Sequence, residues 1–421
     1  MRVLLFPVGS AGDVHPFVGL GQRLRSRGHD VTLFTSGYFA ALVSRAGLGF
    51  VETLAAEDHL ALEQEADLWR PIKSFKVLFG QPRVGQDIRR QYRFIEERYI
   101  PGDTVVVAGT LAFGPRIARD KLGVPVVSAH LQPAVIKSVI KTPVYAGMGM
   151  KPWWPRWLKR FMFWVGDRWI VDPILGPKVN QVRAELGLPP VRSILTEWMH
   201  SPDRVIGLFP DWYGPPAPDW PPQVRLTGFP LYDGREAKPL TDDVRKFLDA
   251  GEPPAVVAFG SAMRFAGPYF TAAAAALTAL GRRGIFLTPY REQLPPELPA
   301  GVAQFDYVPL GELLPHAACV VHHGGIGTAA QGLAAGVPQL VMPLAHDQPD
   351  NADRLRRLGV GRTLPPRRFT NPKNVARELT DLDAGEVRRA CREVAARFRG
   401  ADPLTRACEL IEETGRTGGD R

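Results

Sequence analysis

Residues Tyr307 to Gln348 read YVPLGELLPHAACVVHHGGIGTAAQGLAAGVPQLVMPLAHDQ, and this stretch decides the fold class. An apolar run ends in two histidines, a glycine-rich turn opens an alanine-rich segment, and a second apolar run ends in a polar tip. That order predicts strand, turn, helix and strand of a parallel α/β sheet. Ligands of such sheets lie outside the carboxyl ends of the strands.

The glycine turn at residues 323–328 predicts an anionic ligand. Backbone N–H groups at the start of a helix, freed by glycines, bind phosphate oxygens well. Asp347 and Gln348, at the tip after the next strand, predict recognition of hydroxyl groups beside that anion. Two alternatives remain open: the glycines only make a tight turn, and Asp347 and Gln348 only cap a helix beginning near Pro349.

This segment resembles the donor-binding signature of family 1 glycosyltransferases, which use nucleotide-activated sugars on the two-domain GT-B fold. The matching residues are His323, Gly324, Gly325, Thr328, Gly336-Val337-Pro338, Pro343, Asp347 and Gln348. Residues 1–36, MRVLLFPVGSAGDVHPFVGLGQRLRSRGHDVTLFTS, are similar to the N-terminal signature of the same family.

The resemblance implies a role for each donor-site residue. His323, Gly324, Gly325, Gly327 and Thr328 would hold the diphosphate, and Asp347 and Gln348 would bond the sugar hydroxyls. Tyr307 stands where many members stack an aromatic ring on the base, the backbone of Val308 would read the base edge, and Gln331 stands where some members have a glutamate for the ribose. Ser261, which follows another predicted strand, is predicted to contact the diphosphate or else to lie in a plain turn.

Asp13 is the predicted catalytic base. Sugar transfer to a hydroxyl needs a group that accepts the acceptor's proton. Many family members carry a histidine in a Gly-His-x-x-Pro pattern, whereas the pattern Gly12-Asp13-Val14-His15-Pro16 resembles the subgroup acting on sterols and on glycopeptide or macrolide-type products. The alternatives are that His15 is the base, or that Asp13 only caps the first helix, for which Pro16 suits the first turn.

The predicted elements fall into two halves, which predicts two Rossmann-like parallel-sheet domains facing across a cleft. The strands are expected at 2–8, 30–35, 104–108, 125–129, 204–209, 255–259, 285–288, 317–321 and 339–344. Residues 204–209 are expected to be the last strand of the first half, and five prolines within 211–222 mark the junction. The expected divisions are an acceptor domain 1–215, a linker 216–240, a donor domain 241–400, and a C-terminal helix and tail 401–421 that packs back on the first domain.

Composition limits the partners and the compartment. With 421 residues, 45% of them apolar, the chain can bury two domain cores. A net charge of +9 suits anionic partners, but no nucleic-acid module accompanies it, so no nucleic-acid partner is predicted. Three scattered cysteines, the absence of a secretion signal and the lack of an apolar run of about 20 residues predict a cytoplasmic protein without a membrane span.

Residues 151–170, KPWWPRWLKRFMFWVGDRWI, hold five of the nine tryptophans, interleaved with basic residues. This composition is typical of an interfacial membrane contact through Trp153, Trp154 and Trp157, which would place the protein at the inner membrane face. The alternative is an amphipathic helix packed on the first sheet with its arginines outward. Because this aromatic segment lies in the expected acceptor domain, it also favours a hydrophobic small molecule or lipid as acceptor.

The resulting prediction is an inverting glycosyltransferase that moves a hexose from a UDP-linked donor to a hydroxyl of such an acceptor. No metal and no cofactor are expected, because the helix start, His323 and Ser261 would replace a divalent ion, and Asp381-Leu382-Asp383 is expected to be a surface turn. The alternatives are a catalytically idle relative that activates a partner enzyme, and a sugar-nucleotide epimerase or lipid-intermediate transferase of the same fold.

Overall fold

The structure is a computed structural model, and it describes residues 1–70, 73–145, 147–232, 240–260 and 263–418. These residues divide into two compact units. The first comprises the described parts of Met1–Pro143 and Gly147–Pro230 and the chain from Asp402 onward. The second comprises the described parts of Leu231–Ala401 together with Val144 and Tyr145.

A parallel sheet forms the centre of the first unit. Its strands are β1 (Arg2–Phe6), β2 (Asp30–Ser36), β3 (Gly49–Leu54), β4 (Thr104–Ala108), β5 (Val126–His130), β6 (Arg204–Gly207) and β7 (Val224–Leu226). In the described residues they form a seven-stranded sheet in the order β3-β2-β1-β4-β5-β6-β7. Leu4 of β1 lies opposite Thr32 on one side and Val106 on the other.

The second unit repeats this architecture. Its strands are β8 (Ala255–Ala258), β9 (Gly284–Leu287), β10 (Val302–Phe305), β11 (Cys319–His322), β12 (Gln339–Val341) and β13 (Gly361–Thr363). The six strands that the described residues contribute are all parallel, in the order β10-β9-β8-β11-β12-β13. Two parallel α/β sheets of this kind confirm the predicted fold class.

Helices cover the faces of both sheets. They are α1 (Ala11–Ser26), α2 (Ala40–Arg45), α3 (Ala56–Glu63), α4 (Lys73–Phe79), α5 (Arg83–Arg98), α6 (Gly114–Leu122), α7 (Arg156–Gly166), α8 (Asp172–Glu185), α9 (Asp242–Asp249), α10 (Gly267–Ala279), α11 (Leu310–Leu313), α12 (Ile326–Ala335), α13 (Gln348–Arg357), α14 (Pro366–Phe369), α15 (Pro372–Asp381), α16 (Gly385–Ala396) and α17 (Pro403–Gly418). Because helices lie on both faces, the central strands are continuously apolar: Val3, Leu4, Leu5 and Phe6 of β1 are all fully buried.

The strand predictions are confirmed for the interior of each sheet, within a few residues at the ends. The four strands that the sequence did not predict are β3, β7, β10 and β13, and these are the edges of the two sheets. Residues 204–209 are therefore not the last strand of the first unit, because β7 adds beside β6 with Val205 opposite Val224. β7 lies inside the range 216–240 indicated as a linker, so the first unit extends to Pro230.

The C-terminal helix α17 belongs to the first unit, where it packs against α1 and β4. Its buried Glu412 accepts hydrogen bonds from Arg27 Nε at 2.6 Å and Nη2 at 2.8 Å, and it lies 2.8 Å from His29 Nε2. The bonds from Arg27 lower the pKa of Glu412 to about 2. This paired carboxylate anchors the end of the chain to its beginning.

Candidate functional site

Both sheets contain a point where strand order reverses, and two predicted site residues, Asp13 and His323, follow strands at these points. The reversal falls between β1 and β4 in the first unit and between β8 and β11 in the second. Loops that leave the carboxyl ends of such strands diverge and leave a crevice for ligands. Asp13 follows β1, and His323 follows β11 directly.

The turn between β1 and α1 holds Asp13 by two contacts with Ser10. The Ser10 N–H donates to Asp13 Oδ2 at 2.9 Å, and the Ser10 hydroxyl lies 3.2 Å from the same oxygen. Ser10 is the residue preceding the helix and Asp13 is its third residue, so the helix begins at Ala11 and Asp13 does not occupy the cap position. Gly9 has φ +138°, and a Cβ there would lie 2.2 Å from Asp13 Oδ2. Only glycine lets the carboxylate fold back in this way.

The environment of Asp13 raises the pKa of its carboxyl group toward neutral pH. Burial raises the pKa of Asp13 to about 6, against the opposing effect of the hydrogen bonds from Ser10. A carboxylate with such a pKa can accept a proton near pH 7 and still release it. His15 is half-buried in the same turn, two residues further along α1. Residues two apart on a helix do not face each other, so His15 does not share the face of Asp13.

A buried histidine cluster, which the sequence analysis did not identify, lies near the same edge of the first sheet. Thr110 Oγ1 is 3.1 Å from His130 Nδ1, and His130 Nε2 is 3.0 Å from His200 Nδ1. Burial lowers the pKa of His130 well below its ordinary value and that of His200 to about 4. Both rings are therefore neutral and serve as hydrogen-bonding links between β5 and the segment before β6.

In the second unit, His322 is a structural residue. It is completely buried. The Gly324 N–H donates to His322 Nδ1 at 3.1 Å, so Nε2 carries the proton and donates to Gln339 Oε1 at 2.9 Å. Gln339 in turn donates to the Ala329 carbonyl at 3.2 Å. Burial lowers the pKa of His322 to about 3, and the neutral ring connects β11, β12 and α12.

His323 lies between two glycines at the reversal point. A Cβ on Gly260 would lie 2.9 Å from the His323 Cε1 atom, and one on Gly325 would lie 2.7 Å from Nε2. Burial lowers the pKa of His323 to about 4, with His346 adding to the effect and a hydrogen bond with the Ala258 backbone opposing it. The imidazole is therefore neutral at pH 7, and its one N–H donates to the Ala258 backbone.

The N-terminus of α12 is open. Gly325 precedes the helix and has no side chain to accept hydrogen bonds from the N–H groups of Ile326, Gly327 and Thr328. Gly327 is exposed, and no described atom comes within 4 Å of a Cβ built on it. A helix start without a side-chain cap, at the positive end of the helix dipole, is suited to an anion. Gln331 lies on the same helix and is buried.

The tip after β12 places Asp347 just before α13 and Gln348 at its first residue. Gln348 Oε1 accepts from the N–H groups of Leu344 at 2.8 Å and Ala345 at 3.0 Å. Asp347 Oδ2 accepts from Asn351 Nδ2 at 2.6 Å, and the same nitrogen donates to the Gly324 carbonyl at 2.9 Å. The Gln348 oxygen is thus engaged within the loop, and Asn351 joins this tip to the glycine turn.

The two residues predicted to bind the base follow β10. Tyr307 is 44% exposed, while Val308 is buried. The Arg264 guanidinium, which sequence reasoning missed, lies 4.2 Å from the centre of the Tyr290 ring. Gln293 holds that loop by accepting from the Ala266 N–H at 2.7 Å and donating to the Met263 carbonyl at 3.0 Å. Ser261 lies outside the described residues.

The carboxylates of Asp381 and Asp383 are engaged in ion pairs. Arg362 Nη2 is 2.9 Å from Asp381, Arg388 Nη2 is 2.6 Å from Asp383, and Arg282 also contacts Asp383. Across the ranges that the structure describes, no group of three or more His, Cys, Asp or Glu side chains is arranged to hold a metal ion.

Comparison with known proteins identifies the family. Residues 3–141 match the glycosyltransferase family 28 N-terminal domain, and residues 285–408 match the C-terminal domain of erythromycin biosynthesis protein CIII-like proteins. The chain is 30% identical over 430 residues to the O-mycaminosyltylonolide 6-deoxyallosyltransferase of Streptomyces fradiae, covering 99% of this chain and 98% of that protein. The chain belongs to the GT-B glycosyltransferases. This glycosyltransferase is also 30% identical over 377 residues to the vancomycin aglycone glucosyltransferase of Amycolatopsis orientalis, covering 86% and 85% of the two chains.

Solved structures show the same fold. The glycosyltransferase of kitacinnamycin superimposes with a TM-score of 0.72 at 21% identity, covering 98% of both chains. The glycosyltransferase VinC, solved in complex with DTDP, superimposes with a TM-score of 0.68 at 19% identity, covering 99% of this chain and all of that one. The described part of the present glycosyltransferase contains no helix long and apolar enough to cross a membrane.

Proposed function

We propose that this glycosyltransferase transfers a hexose from a nucleoside-diphosphate sugar to a hydroxyl of a hydrophobic small molecule or lipid, with inversion at the anomeric carbon. The observation that carries the proposal is the uncapped start of α12 beside the neutral His323. That helix start offers backbone N–H groups to a diphosphate, the leaving group of such a transfer, and His323 would line the same site.

The donor's sugar and base have separate sets of contacts in this proposal. Asp347 and the NH₂ group of Gln348 would bond the hexose hydroxyls, and the exposed Tyr307 ring would stack on the base. Gln331 would face the ribose, and Ser261 would add a hydroxyl contact to the diphosphate. We expect a pyrimidine diphosphate: a UDP-linked hexose follows from the resemblance, and the thymidine nucleotide bound by VinC favours testing dTDP beside it.

Asp13 acts as the base in the proposed reaction. The acceptor hydroxyl transfers its proton to the Asp13 carboxylate while its oxygen forms the bond to the anomeric carbon. The bond between that carbon and the diphosphate oxygen breaks, and the leaving diphosphate keeps the electron pair, stabilised by the α12 N–H groups. A single displacement of this kind inverts the anomeric centre. The positive end of the α12 helix dipole would supply the potential that a divalent ion otherwise provides, so we expect no metal requirement.

The acceptor class rests on the relatives. The names of the two related enzymes give their acceptors as O-mycaminosyltylonolide and the vancomycin aglycone, which are natural products. An acceptor of that class suits a first unit whose surface carries many exposed aromatic side chains. The idle-relative alternative is disfavoured because a non-catalytic relative has no need of a carboxylate at Asp13 with a pKa near 6.

A thermal-shift screen tests the donor. UDP, dTDP, GDP and ADP are compared with their monophosphates and with inorganic pyrophosphate. A ligand at about 100 times its Kd stabilises by about 2.7 kcal/mol, so one pyrimidine diphosphate should raise Tm clearly and its monophosphate should not. No shift with any nucleoside diphosphate contradicts the proposal. With the donor known, NMR of the glycosylated product decides the stereochemistry, and retention of the donor's anomeric configuration contradicts the single displacement.

A further inference from the structure

The helix α7 and its flanks expose aromatic side chains to an unusual extent. The large apolar side chains that are mostly exposed here are Trp153 (77%), Trp157 (68%), Phe161 (54%), Trp164 (55%), Trp169 (67%) and Ile170 (41%). Trp157, Phe161 and Trp164 have the spacing i, i+4, i+7, so they form one stripe along the helix. The Phe161 and Trp164 rings stack with their centres 5.9 Å apart. A contiguous exposed apolar patch of this kind marks an interaction site.

The opposite side of the helix is held in place by polar contacts. Lys159 is 2% exposed and its Nζ donates to the Pro152 carbonyl at 2.7 Å. Asp167, also buried, pairs with Lys137 Nζ at 3.2 Å and accepts from the Thr196 hydroxyl. The helix therefore buries Lys159 and Phe163 and turns its aromatic stripe toward solvent. Its arginines face outward, as the packed-helix alternative expects, but most of its large aromatic rings face outward with them.

The charge around the stripe is of one sign. Lys151, Arg156, Arg160 and Arg168 are exposed. Asp167 is the one acidic residue in 151–170, and it is buried in its pair with Lys137. Arg156 and Arg160 lie one turn apart and flank the aromatic stripe on one side, since an α-helix has about 3.6 residues per turn. The surface thus presents apolar rings with uncompensated positive charge beside them, which is complementary to an anionic interface.

We propose that residues 151–170, here called the aromatic–basic surface, dock the protein on an anionic lipid bilayer. The rings of Trp157, Phe161 and Trp164 would enter the headgroup region, where indole N–H groups remain hydrated. Arg156 and Arg160 would contact lipid phosphates, each basic residue near such a surface raising affinity about fivefold. The helix lies flat in the interface and does not span the membrane.

Vesicle sedimentation tests the proposal. Phosphatidylcholine vesicles are compared with vesicles that also contain phosphatidylglycerol, at low and high salt. Wild type should sediment with the anionic vesicles, and salt should weaken the binding. The variant Trp157→Ala/Phe161→Ala/Trp164→Ala and the variant Arg156→Glu/Arg160→Glu should each bind more than tenfold less. The matched control Arg245→Glu/Lys246→Glu makes the same charge change at two exposed positions of the second unit and should bind like wild type.

Several outcomes overturn the proposal. These are equal binding by wild type and the triple variant, equal binding to neutral and anionic vesicles, and a loss of binding in the control as large as in Arg156→Glu/Arg160→Glu. A concentration-dependent dimer that the triple variant abolishes would assign the surface to a second copy of the chain, and RNA binding that the charge variant abolishes would assign it to nucleic acid. All the changed side chains are exposed, so unchanged Tm and unchanged nucleotide-induced shifts verify folding. The assay needs neither donor nor acceptor, and its failure would leave the proposed function standing.

Discussion

The turn before α1 and the turn before α12 follow equivalent strands of their sheets. They differ in the side chains that they place at the N-terminus of the helix. Before α1, Ser10 is the cap and Asp13 brings a carboxylate into the first turn. Before α12, the cap is Gly325 and the first turn contains no acidic residue. The N-terminus of α1 therefore carries a carboxylate of the protein itself. The N-terminus of α12 has no such carboxylate, so its N–H groups can bind an anionic ligand.

This difference shows how one strand–turn–helix unit takes two chemical roles. A carboxylate at a helix start is stabilised by the helix dipole and repels phosphate, so α1 is suited to a proton acceptor and not to a donor nucleotide. An open start attracts phosphate and has no proton acceptor, so α12 is suited to a leaving group. The choice depends on one or two side chains at the cap.

Removing the carboxylate from the first turn should have the largest effect. Asp13→Asn keeps an oxygen for the Ser10 N–H but cannot accept a proton, so we expect transfer to fall about 1,000-fold, within the range for loss of a general base. Nucleotide binding, measured by calorimetry, should stay unchanged. Burial raises the pKa of Asp13, which means that the ionised form opposes folding above pH 6; Tm of Asp13→Asn at pH 8 should therefore equal or exceed that of wild type. Transfer at the wild-type rate contradicts the assignment.

Making the second helix start resemble the first should abolish donor binding. Gly327→Asp places a carboxylate in the first turn of α12, where no described atom obstructs the new side chain. Two like charges about 4 Å apart near a protein surface repel by about 4 kcal/mol, so nucleoside diphosphates should bind at least about 100-fold more weakly. Gly327→Asn is the matched control, since it has the same shape without the charge. Equal loss in both variants would mean that crowding, not charge, is responsible.

The two turns should also differ in their response to pH. Transfer should fall as pH decreases through about 6, because Asp13 is then protonated, and it should be about tenfold lower one pH unit below that value. Donor binding should stay flat from pH 5 to pH 8, since burial keeps His323 neutral with a pKa of about 4. If the transfer rate and the donor affinity changed together with pH, the assignment of the pH dependence to Asp13 alone would be contradicted. The residual rate of Asp13→Asn should be insensitive to pH over the same range.

The smallest effect is expected for the link between the glycine turn and the tip after β12. Asn351→Ala removes the donor shared by Asp347 and the buried Gly324 carbonyl, and loss of the donor to that buried carbonyl should cost about 1–3 kcal/mol in unfolding free energy. Denaturant unfolding measures this loss. Asp353→Ala on the same helix breaks only ion pairs with Arg356 and Arg357, and should cost about 0–1 kcal/mol. A smaller loss for Asn351→Ala than for its control would contradict a structural link.

The strands that sequence patterns predict are those whose side chains are buried on both faces. β4 and β5 are buried throughout and read as continuous apolar runs. The edge strand β10 is half-buried along its length, and β7 has an exposed residue at its centre. A strand with one covered face and a length of three or four residues is too short to show alternation, so its position depends on the neighbour with which it pairs.

The candidate site divides in the same way. The glycine turn, Asp13 and Asp347 could be predicted because local chemistry makes them recognisable: a helix start without a cap, a carboxylate within a turn, a polar tip after an apolar run. Asn351 and Arg264 could not, since the partners of each are set by packing between distant segments. The engagement of the Gln348 oxygen by Leu344 and Ala345 depends on the shape of the loop, which composition does not encode.

The attachment of α17 to the first unit determines how the protein can be recombined. The polypeptide leaves that unit at Pro230 and returns to it at Asp402, so the second unit is an internal insertion, not the C-terminal half. A chimera with new donor specificity should exchange residues 231–401 as a cassette with two splice sites. A single crossover in the middle of the chain would pair α1 with the α17 of another protein. Arg27 would then lose the Glu412 carboxylate to which it donates hydrogen bonds.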